Sequence, residues 1–311
     1  MQEFLITLDI MLPILLLLLL GWALRKLGLM NEKTTSGMNQ LVFKVFLPVL
    51  LFNNIRSLDF GTMPEMKLSL FMALSIFLIF LTAHLVTPRI VPDARKSGVI
   101  VQAIFRTNFA ILGIPLMLSM FGQEGMASFS LAMPIVVPLF NVLAVIALSG
   151  TGGKVNIKQL LLKIATNPLI IGVAAGLAFL LLRIPLPRAV DNVAGQLADL
   201  TSPVSLLVLG ASLRWEGVKN NRRELFFTIL IRQLLLPCTM LTIAVLLGFR
   251  HIDLGVLIIL FGAPIAVSSY PMAVGMGGDK DLAAGILVLS TVTSMGTLFL
   301  LIYTCKLFAF I

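Results

Sequence analysis

Charged side chains are scarce in this chain of 311 residues: Asp, Glu, Lys and Arg make up 12% of it, about half the share that is usual in soluble domains. Its two cysteines, Cys238 and Cys305, both lie in apolar runs, so a disulfide framework is not expected. The chain also lacks the phosphate-binding, zinc-protease and nucleophile-elbow motifs. These absences argue against an ATP-driven motor, a metalloenzyme and a serine hydrolase, and we expect no cofactor.

Apolar residues are abundant instead, at 59% of the chain, and the mean hydropathy is +1.05. Both values exceed those of soluble domains and predict an integral membrane protein. The net charge of +9 does not indicate nucleic-acid binding, because the basic residues lie in short loops between apolar runs. The expected surroundings are therefore a lipid bilayer.

The apolar runs predict ten transmembrane helices, since a span needs about 20 mostly apolar residues. Residues 4–24 form the first span rather than a cleaved signal, because no basic flank precedes them and further spans follow. The chain divides at the Gly-rich link Gly150–Gly153 into units of residues 1–150 and 151–311. The predicted spans are 4–24, 36–55, 67–87, 97–121, 125–149, 160–182, 192–213, 224–248, 253–277 and 281–306.

Helix-breaking residues recur between the two halves. The offset is 155 residues in the first part of each half and 156 further on, with the pairs Pro13 and Pro168, Gly21 and Gly176, Pro48 and Pro203, Asn108 and Pro264, Pro115 and Pro271, and Gly122 and Gly278. Five spans per half would make the second half enter the membrane from the opposite side. We therefore expect two inverted five-helix repeats, with broken helices at spans 4 and 9.

The loops after spans 1, 3, 5, 7 and 9 contain most of the Lys and Arg residues outside the spans. The positive-inside rule places these loops in the cytoplasm. The prediction is a multi-pass protein of the inner (plasma) membrane with both termini on the outer side.

Two opposite charges occupy equivalent positions inside spans 2 and 7. Lys44 and Asp199 are separated by 155 residues, and each precedes a proline by four residues. A two-fold arrangement would bring the two charges close together at the repeat interface. Two interpretations stay open: an ion-coupling site for H⁺ or Na⁺, in which Asp199 is the better candidate, or an ion pair that only joins the two spans.

Arg106 is a third charge inside a span, in the segment FRTNFAILGIP of span 4. Asn108, Gly113 and Pro115 follow it, and this pattern predicts an interrupted helix. A helix break exposes N–H groups that attract anions, and a guanidinium beside it would bind a carboxylate. The alternative is that Arg106 extends to the cytoplasmic surface.

Span 9 contains a corresponding irregular segment, with Pro264 and Pro271 on either side of Ser268, Ser269 and Tyr270. Non-helical backbone at this depth must face protein or water, so we expect a break here rather than a simple kink. A pairing of either serine with His84 would suggest an intramembrane enzyme, but His84 lies at the cytoplasmic end of span 3, far from this segment.

Three segments together resemble the auxin efflux carrier family. They are QLVFKVFLPVLLFNNI (40–55), NFAILGIPLMLSMFG (108–122) and the region 262–294, which begins GAPIAVSSYPMAVG. The short link between the halves is similar to that of the bacterial members, often called malate permeases. Plant carriers have a proline directly before the Asn, whereas this chain has Thr107, and we expect that difference to soften the first break.

The resemblance implies a fold like that of the bile acid:sodium symporters, with a scaffold domain and a core domain in which two broken helices cross. It places the crossing at Asn108 and Pro264. We expect a secondary active transporter of small organic anions, such as malate or auxin-like acids, working by elevator-type alternating access. The expected substrate site is Arg106, Thr107, Asn108, Pro264, Ser268 and Ser269.

The alternatives are a sodium-coupled organic anion symporter and, outside transport, an intramembrane enzyme or a substrate sensor. We also include a homodimer among the expected assemblies.

Overall fold

The structure, a computed structural model, describes residues 2–57, 66–149, 166–213 and 219–311. These residues form helices and no strand, which confirms the all-helical class. The helices are α1 (Gln2–Lys26), α2 (Glu32–Arg56), α3 (Met66–Ile90), α4 (Ala94–Phe105), α5 (Phe109–Ser149), α6 (Pro168–Leu181), α7 (Arg188–Ser212), α8 (Arg222–Leu246), α9 (His251–Gly262), α10 (Ser269–Gly275) and α11 (Lys280–Leu307).

Six helical segments of the described chain are long and apolar enough to cross a bilayer. They are α2, α3, α7, α8, α11 and the part of α5 at Ser128–Ser149, while α6 and α9 are shorter apolar helices. This pattern agrees with a multi-pass membrane protein. The predicted division after residue 150 and the first residues of the predicted span 160–182 lie outside the described residues.

Helix α5 folds back on itself at Gly122, whose φ of 64° and ψ of −151° are not helical. The rings of Phe109 and Phe129 lie 4.3 Å apart between centroids, whereas a straight helix would separate these residues by about 30 Å. Gly113 lies directly against the Phe129 ring and allows this contact. The predicted interruption of span 4 lies at Arg106–Asn108, and the helix then continues through Gly113 and Pro115 to Gly122.

Two helices contain a π-type turn just before a proline: Val42–Phe46 in α2 precedes Pro48, and Ile231–Leu235 in α8 precedes Pro237. Proline has no N–H and its ring clashes with the carbonyl four residues back, so a wider turn relieves the clash. In α2 the last carbonyl of this turn, that of Phe46, accepts a hydrogen bond from the Thr201 hydroxyl of α7 at 3.2 Å.

Glycines allow two helix pairs, α1 with α7 and α2 with α6, to pack backbone to backbone. A methyl group added at any of four glycines would lie 2.0–2.8 Å from a carbonyl oxygen of the facing helix: Gly21 from Leu207, Gly210 from Leu18, Gly172 from Pro48 and Gly176 from Phe52. Small residues at such contacts are typical of helix association in membranes.

Helices α4 and α9 lie at the centre of the protein. Every residue from Ser97 to Phe105 in α4 and from Leu254 to Gly262 in α9 is buried. A helix that is apolar on all sides is stable only where other helices surround it. Both helices end in the interior, so the segments that follow them are enclosed by protein.

Candidate functional site

The two helix breaks meet in the interior and pair with each other. Thr107 and Ile265 form an antiparallel bridge, and the Asn108 N–H donates to the Pro264 carbonyl at 2.7 Å. Proline forces the preceding residue out of the helical region, and Ala263 is extended with a ψ of 151°. The Ile265 N–H is bound by the Ser290 hydroxyl of α11 at 3.3 Å.

Thr107 does not soften the first break, contrary to our expectation. The backbone of Arg106 is extended, with φ −95° and ψ 125°, and helix resumes only at Phe109. The pairing with the Pro264 segment replaces the helical hydrogen bonds that the break removes, so the first break needs no proline of its own.

Arg106 points into the protein and not to the membrane surface. Its side chain is buried, and its guanidinium is held by three groups. One terminal nitrogen binds the Asn141 amide oxygen and the Ser268 hydroxyl, both at 2.8 Å, and the other lies 2.6 Å from the Met272 sulfur. The interpretation in which Arg106 extends to the cytoplasmic surface is therefore wrong.

No described carboxylate forms an ion pair with Arg106. Ion pairs of described residues form elsewhere, between Arg56 and Asp191, Lys96 and Glu224, and Lys280 and Glu32. A buried charge without a counter-charge is costly, and neutral partners compensate for only part of that cost. The guanidinium thus carries positive charge that an anion would neutralise.

Three buried polar atoms at the breaks have no hydrogen-bond partner among the described residues: Thr107 Oγ1, Asn108 Nδ2 and Ser269 Oγ. Each unpaired buried group costs roughly 1–3 kcal/mol. All three can donate a hydrogen bond, and Ser269 follows the serine that contacts Arg106. Because native proteins rarely leave such groups unpaired, their concentration here indicates a place for a hydrogen-bond acceptor.

Two residues of this cluster, Asn141 and Met272, were not predicted from the sequence as part of the site. Asn141 lies in the second arm of α5 and also donates its amide to the Val137 carbonyl at 2.8 Å. Met272 lies in α10, where its sulfur also contacts the Gln102 amide at 3.8 Å. An amide inside an apolar span was the available signal for Asn141, whereas nothing distinguished Met272 from an ordinary apolar residue.

A second buried arginine, Arg232, has a structural position. Its terminal nitrogens donate to the carbonyls of Phe261 and Ala263, at 2.6 and 2.7 Å. These carbonyls lie at the C-terminus of α9, where a cation also interacts favourably with the helix dipole. Arg232 therefore holds the second break in place.

Lys44 and Asp199 do not come together as the sequence suggested. Both side chains are exposed at the middle of α2 and α7, and neither forms an ion pair with a described residue. The helices do meet at the equivalent positions Phe46 and Thr201, but the two charges lie on the outer faces. The expectation that they face each other within one chain is wrong.

The serine–histidine pair of the enzyme alternative is not formed in the described residues either. His84 stacks on Phe80, with ring centroids 5.3 Å apart. The Ser268 hydroxyl binds Arg106, and the Ser269 hydroxyl has no described partner. A nucleophile and its base would need to be within hydrogen-bond reach.

Comparison with known proteins agrees with this architecture. Residues 6–302 match the family described as membrane transport protein. The chain is 23% identical over 291 residues to an uncharacterized transporter of Methanothermobacter thermautotrophicus, covering 93% of this chain and 95% of the relative. It is 26% identical over 302 residues to an uncharacterized transporter of Methanocaldococcus jannaschii, covering 93% and 96%. The chain therefore belongs to the membrane transport protein family, the family of the auxin efflux carrier-like transporters.

Proposed function

We propose that this protein is a secondary active transporter of small organic anions and that it binds the substrate carboxylate where the two helix breaks meet. One observation carries the proposal: a buried guanidinium adjoins three buried hydrogen-bond donors, and among the described residues it has no carboxylate partner and they have no acceptor. A carboxylate supplies what both lack, a negative charge and up to four acceptor positions.

Each residue of the proposed site contributes a different interaction with the carboxylate or with its neighbours. Arg106 supplies the charge and a planar donor geometry that matches a carboxylate. The Asn108 amide and the Thr107 and Ser269 hydroxyls donate the remaining hydrogen bonds, while Ser268 keeps the guanidinium in position. Pro264 fixes the second break and accepts the Asn108 N–H. The first turn of α5 begins at Phe109 and adds the positive end of a helix dipole.

Inverted repeats are the second part of the proposal, and contacts between equivalent residues support them. At the offset of 155 residues, Gly21 is equivalent to Gly176 and Leu207 is equivalent to Phe52. The contact of Gly21 with Leu207 therefore has its equivalent in the contact of Gly176 with Phe52. Phe46 touches its own equivalent, Thr201. Asn108 likewise touches Pro264. A two-fold axis generates such self-contacts naturally, and ten spans in two five-helix repeats account for them.

We also propose alternating access by an elevator motion, and the way the helices associate supports it. Helices α1, α2, α6 and α7 pack against one another through their glycines, and α4, α5 and α9–α11 enclose the site. We propose that the first group is the static scaffold and that the second group carries the substrate across the membrane. The basic loops would face the cytoplasm and both termini the outer side of the inner membrane.

We further propose that the protein is a homodimer. Lys44 and Asp199 are exposed at mid-helix, and a charge in the bilayer centre costs about 2.5–3.5 kcal/mol on insertion scales. In a two-fold dimer, Lys44 of one protomer would lie against the partner's Asp199, and the reverse pair would form as well. The coupling role of Asp199 for H⁺ or Na⁺ stays a prediction beside this one.

Uptake by the purified protein in proteoliposomes tests the proposal. We expect saturable uptake of a labelled carboxylate that follows an imposed pH gradient and that Arg106→Gln abolishes. Uptake that follows a sodium gradient but not pH would support the sodium-coupled alternative. Flux that does not saturate and ignores both gradients would indicate a channel and would overturn the proposal.

A further inference from the structure

A groove of about 780 Å³ opens on the surface between α8 and α11. Its wall is apolar along most of its length, with Phe226, Ile229, Leu234 and Leu289 among the lining residues. Phe226 and Leu234 are largely exposed, at 63% and 49%. In a membrane protein, an open apolar groove of this kind faces lipid.

One end of the groove is basic. Lys219 and Arg222 line it there, both are exposed, and none of the described lining residues is acidic. Neither residue forms an ion pair with a described residue. Basic pockets between membrane helices are the usual binding sites for anionic lipid headgroups.

The groove also has the right depth for one acyl chain. Arg222 is the first residue of α8 and Leu234 is twelve residues further on, which corresponds to about 18 Å along the helix. One leaflet of the hydrocarbon core is about 15 Å thick. The groove is therefore long enough to run from the headgroup level to the middle of the bilayer.

A second groove, of about 860 Å³ between α3 and α8, lacks this charge selectivity. Its polar end contains Asp93 and Glu224 as well as Lys96 and Arg223, and Lys96 already binds Glu224 at 2.8 Å. An anionic headgroup would meet carboxylates there. Charge complementarity thus favours the groove between α8 and α11.

We propose that this groove binds an anionic phospholipid, with its phosphate at Lys219 and Arg222 and one acyl chain along α8 and α11. The inner end of the site adjoins the helix breaks. Gln233 accepts a hydrogen bond from Thr297 at 3.1 Å and donates to the Ser290 carbonyl at 3.4 Å. The Ser290 hydroxyl in turn binds the Ile265 N–H of the second break. A bound lipid would stabilise the two helices that hold this break.

Native mass spectrometry of the full chain in detergent tests the proposal, with phosphatidylglycerol and phosphatidylcholine as probes. We expect preferential retention of phosphatidylglycerol, by about fivefold for each of the two basic residues. The double variant Lys219→Gln/Arg222→Gln should lose that preference. The matched control Lys26→Gln/Lys33→Gln removes the same amount of charge from α1 and α2 and should keep the preference for phosphatidylglycerol.

A third variant separates the groove from simple surface charge. Thr293→Trp places a large side chain in the groove and leaves both basic residues intact, so it should reduce the retention of phosphatidylglycerol. Equal retention of the two lipids by the wild type would overturn the proposal. So would equal phosphatidylglycerol retention in both double variants, or unchanged retention in Thr293→Trp.

Discussion

Replacing Arg106 by glutamine should have two opposite effects, a loss of anion binding and a gain in the stability of the ligand-free protein. The guanidinium is buried and is held only by an amide oxygen, a hydroxyl and a sulfur. Replacing even a buried ion pair by neutral residues of similar volume is often neutral or stabilising by about 1–4 kcal/mol. A buried charge without a counter-charge has less attraction to offset its desolvation, so we expect a gain here too. Glutamine removes the charge and keeps a polar group near Asn141.

The loss of binding should be large. Removing one partner of a buried, hydrogen-bonded charge pair costs about 2–5 kcal/mol, and 2 kcal/mol already corresponds to about 30-fold weaker binding. Arg106→Lys keeps the charge but not the planar donor geometry, so we expect an intermediate loss.

The assay is thermal unfolding of the purified protein with each carboxylic acid and with the uncharged amide of the same acid. The wild type should be stabilised by the acid more than by the amide. Arg106→Gln should unfold at a higher temperature without ligand and respond equally to both compounds.

Arg232→Gln is the matched control, because it also removes a buried guanidinium. Arg232 binds carbonyls at the end of α9, and these are not among the groups proposed to bind the carboxylate. The variant Arg232→Gln should therefore unfold at a lower temperature and keep the preference for the acid. If Arg106→Gln still preferred the acid over the amide, the assignment of Arg106 to the substrate site would be refuted.

Three further predictions concern the helices around the site. Asp199→Asn should bind the substrate normally but lose gradient-driven uptake in proteoliposomes; full coupled uptake would remove Asp199 from the coupling role. Lys44→Asp and Asp199→Lys should each weaken the dimer measured by light scattering in detergent, and the double exchange should restore it; a monomer in the wild type would contradict this. Gly210→Ala should destabilise the protein by about 1–3 kcal/mol, since the new methyl would lie 2.0 Å from the Leu18 carbonyl oxygen. The control Gly195→Ala in the same helix should not destabilise the protein, because its methyl would meet nothing within 4 Å.

The sequence predicted the helices and both breaks because the relevant signals are local. Apolar runs of sufficient length identify helices regardless of their neighbours. Pro264 restricts its own backbone and that of Ala263, so the second break is encoded at the position where it occurs. Arg106 stood out since a charge is costly in an apolar span.

The partners of these residues were not predictable in the same way. Asn141 is 35 residues from Arg106, and its contact depends on the fold-back of α5 at Gly122. The sequence also did not show that the side chains of Lys44 and Asp199 are exposed. In a membrane helix both the lipid-facing and the protein-facing sides are apolar, so hydrophobic periodicity does not reveal which side is inside.

The proposed charge selectivity arises where the two proposed repeats differ. At the offset of 156, the position equivalent to Arg106 is Gly262, and a Cβ atom there would lie only 3.0 Å from Leu301 and 3.1 Å from Leu298. Any side chain at that position of the second proposed repeat would press on these two leucines. Arg232, the other buried arginine nearby, is occupied by the carbonyls at the end of α9. On the proposed function, the site offers one unbalanced positive charge, which neutralises one carboxylate; a second carboxylate on the substrate would have to lie outside this enclosed region.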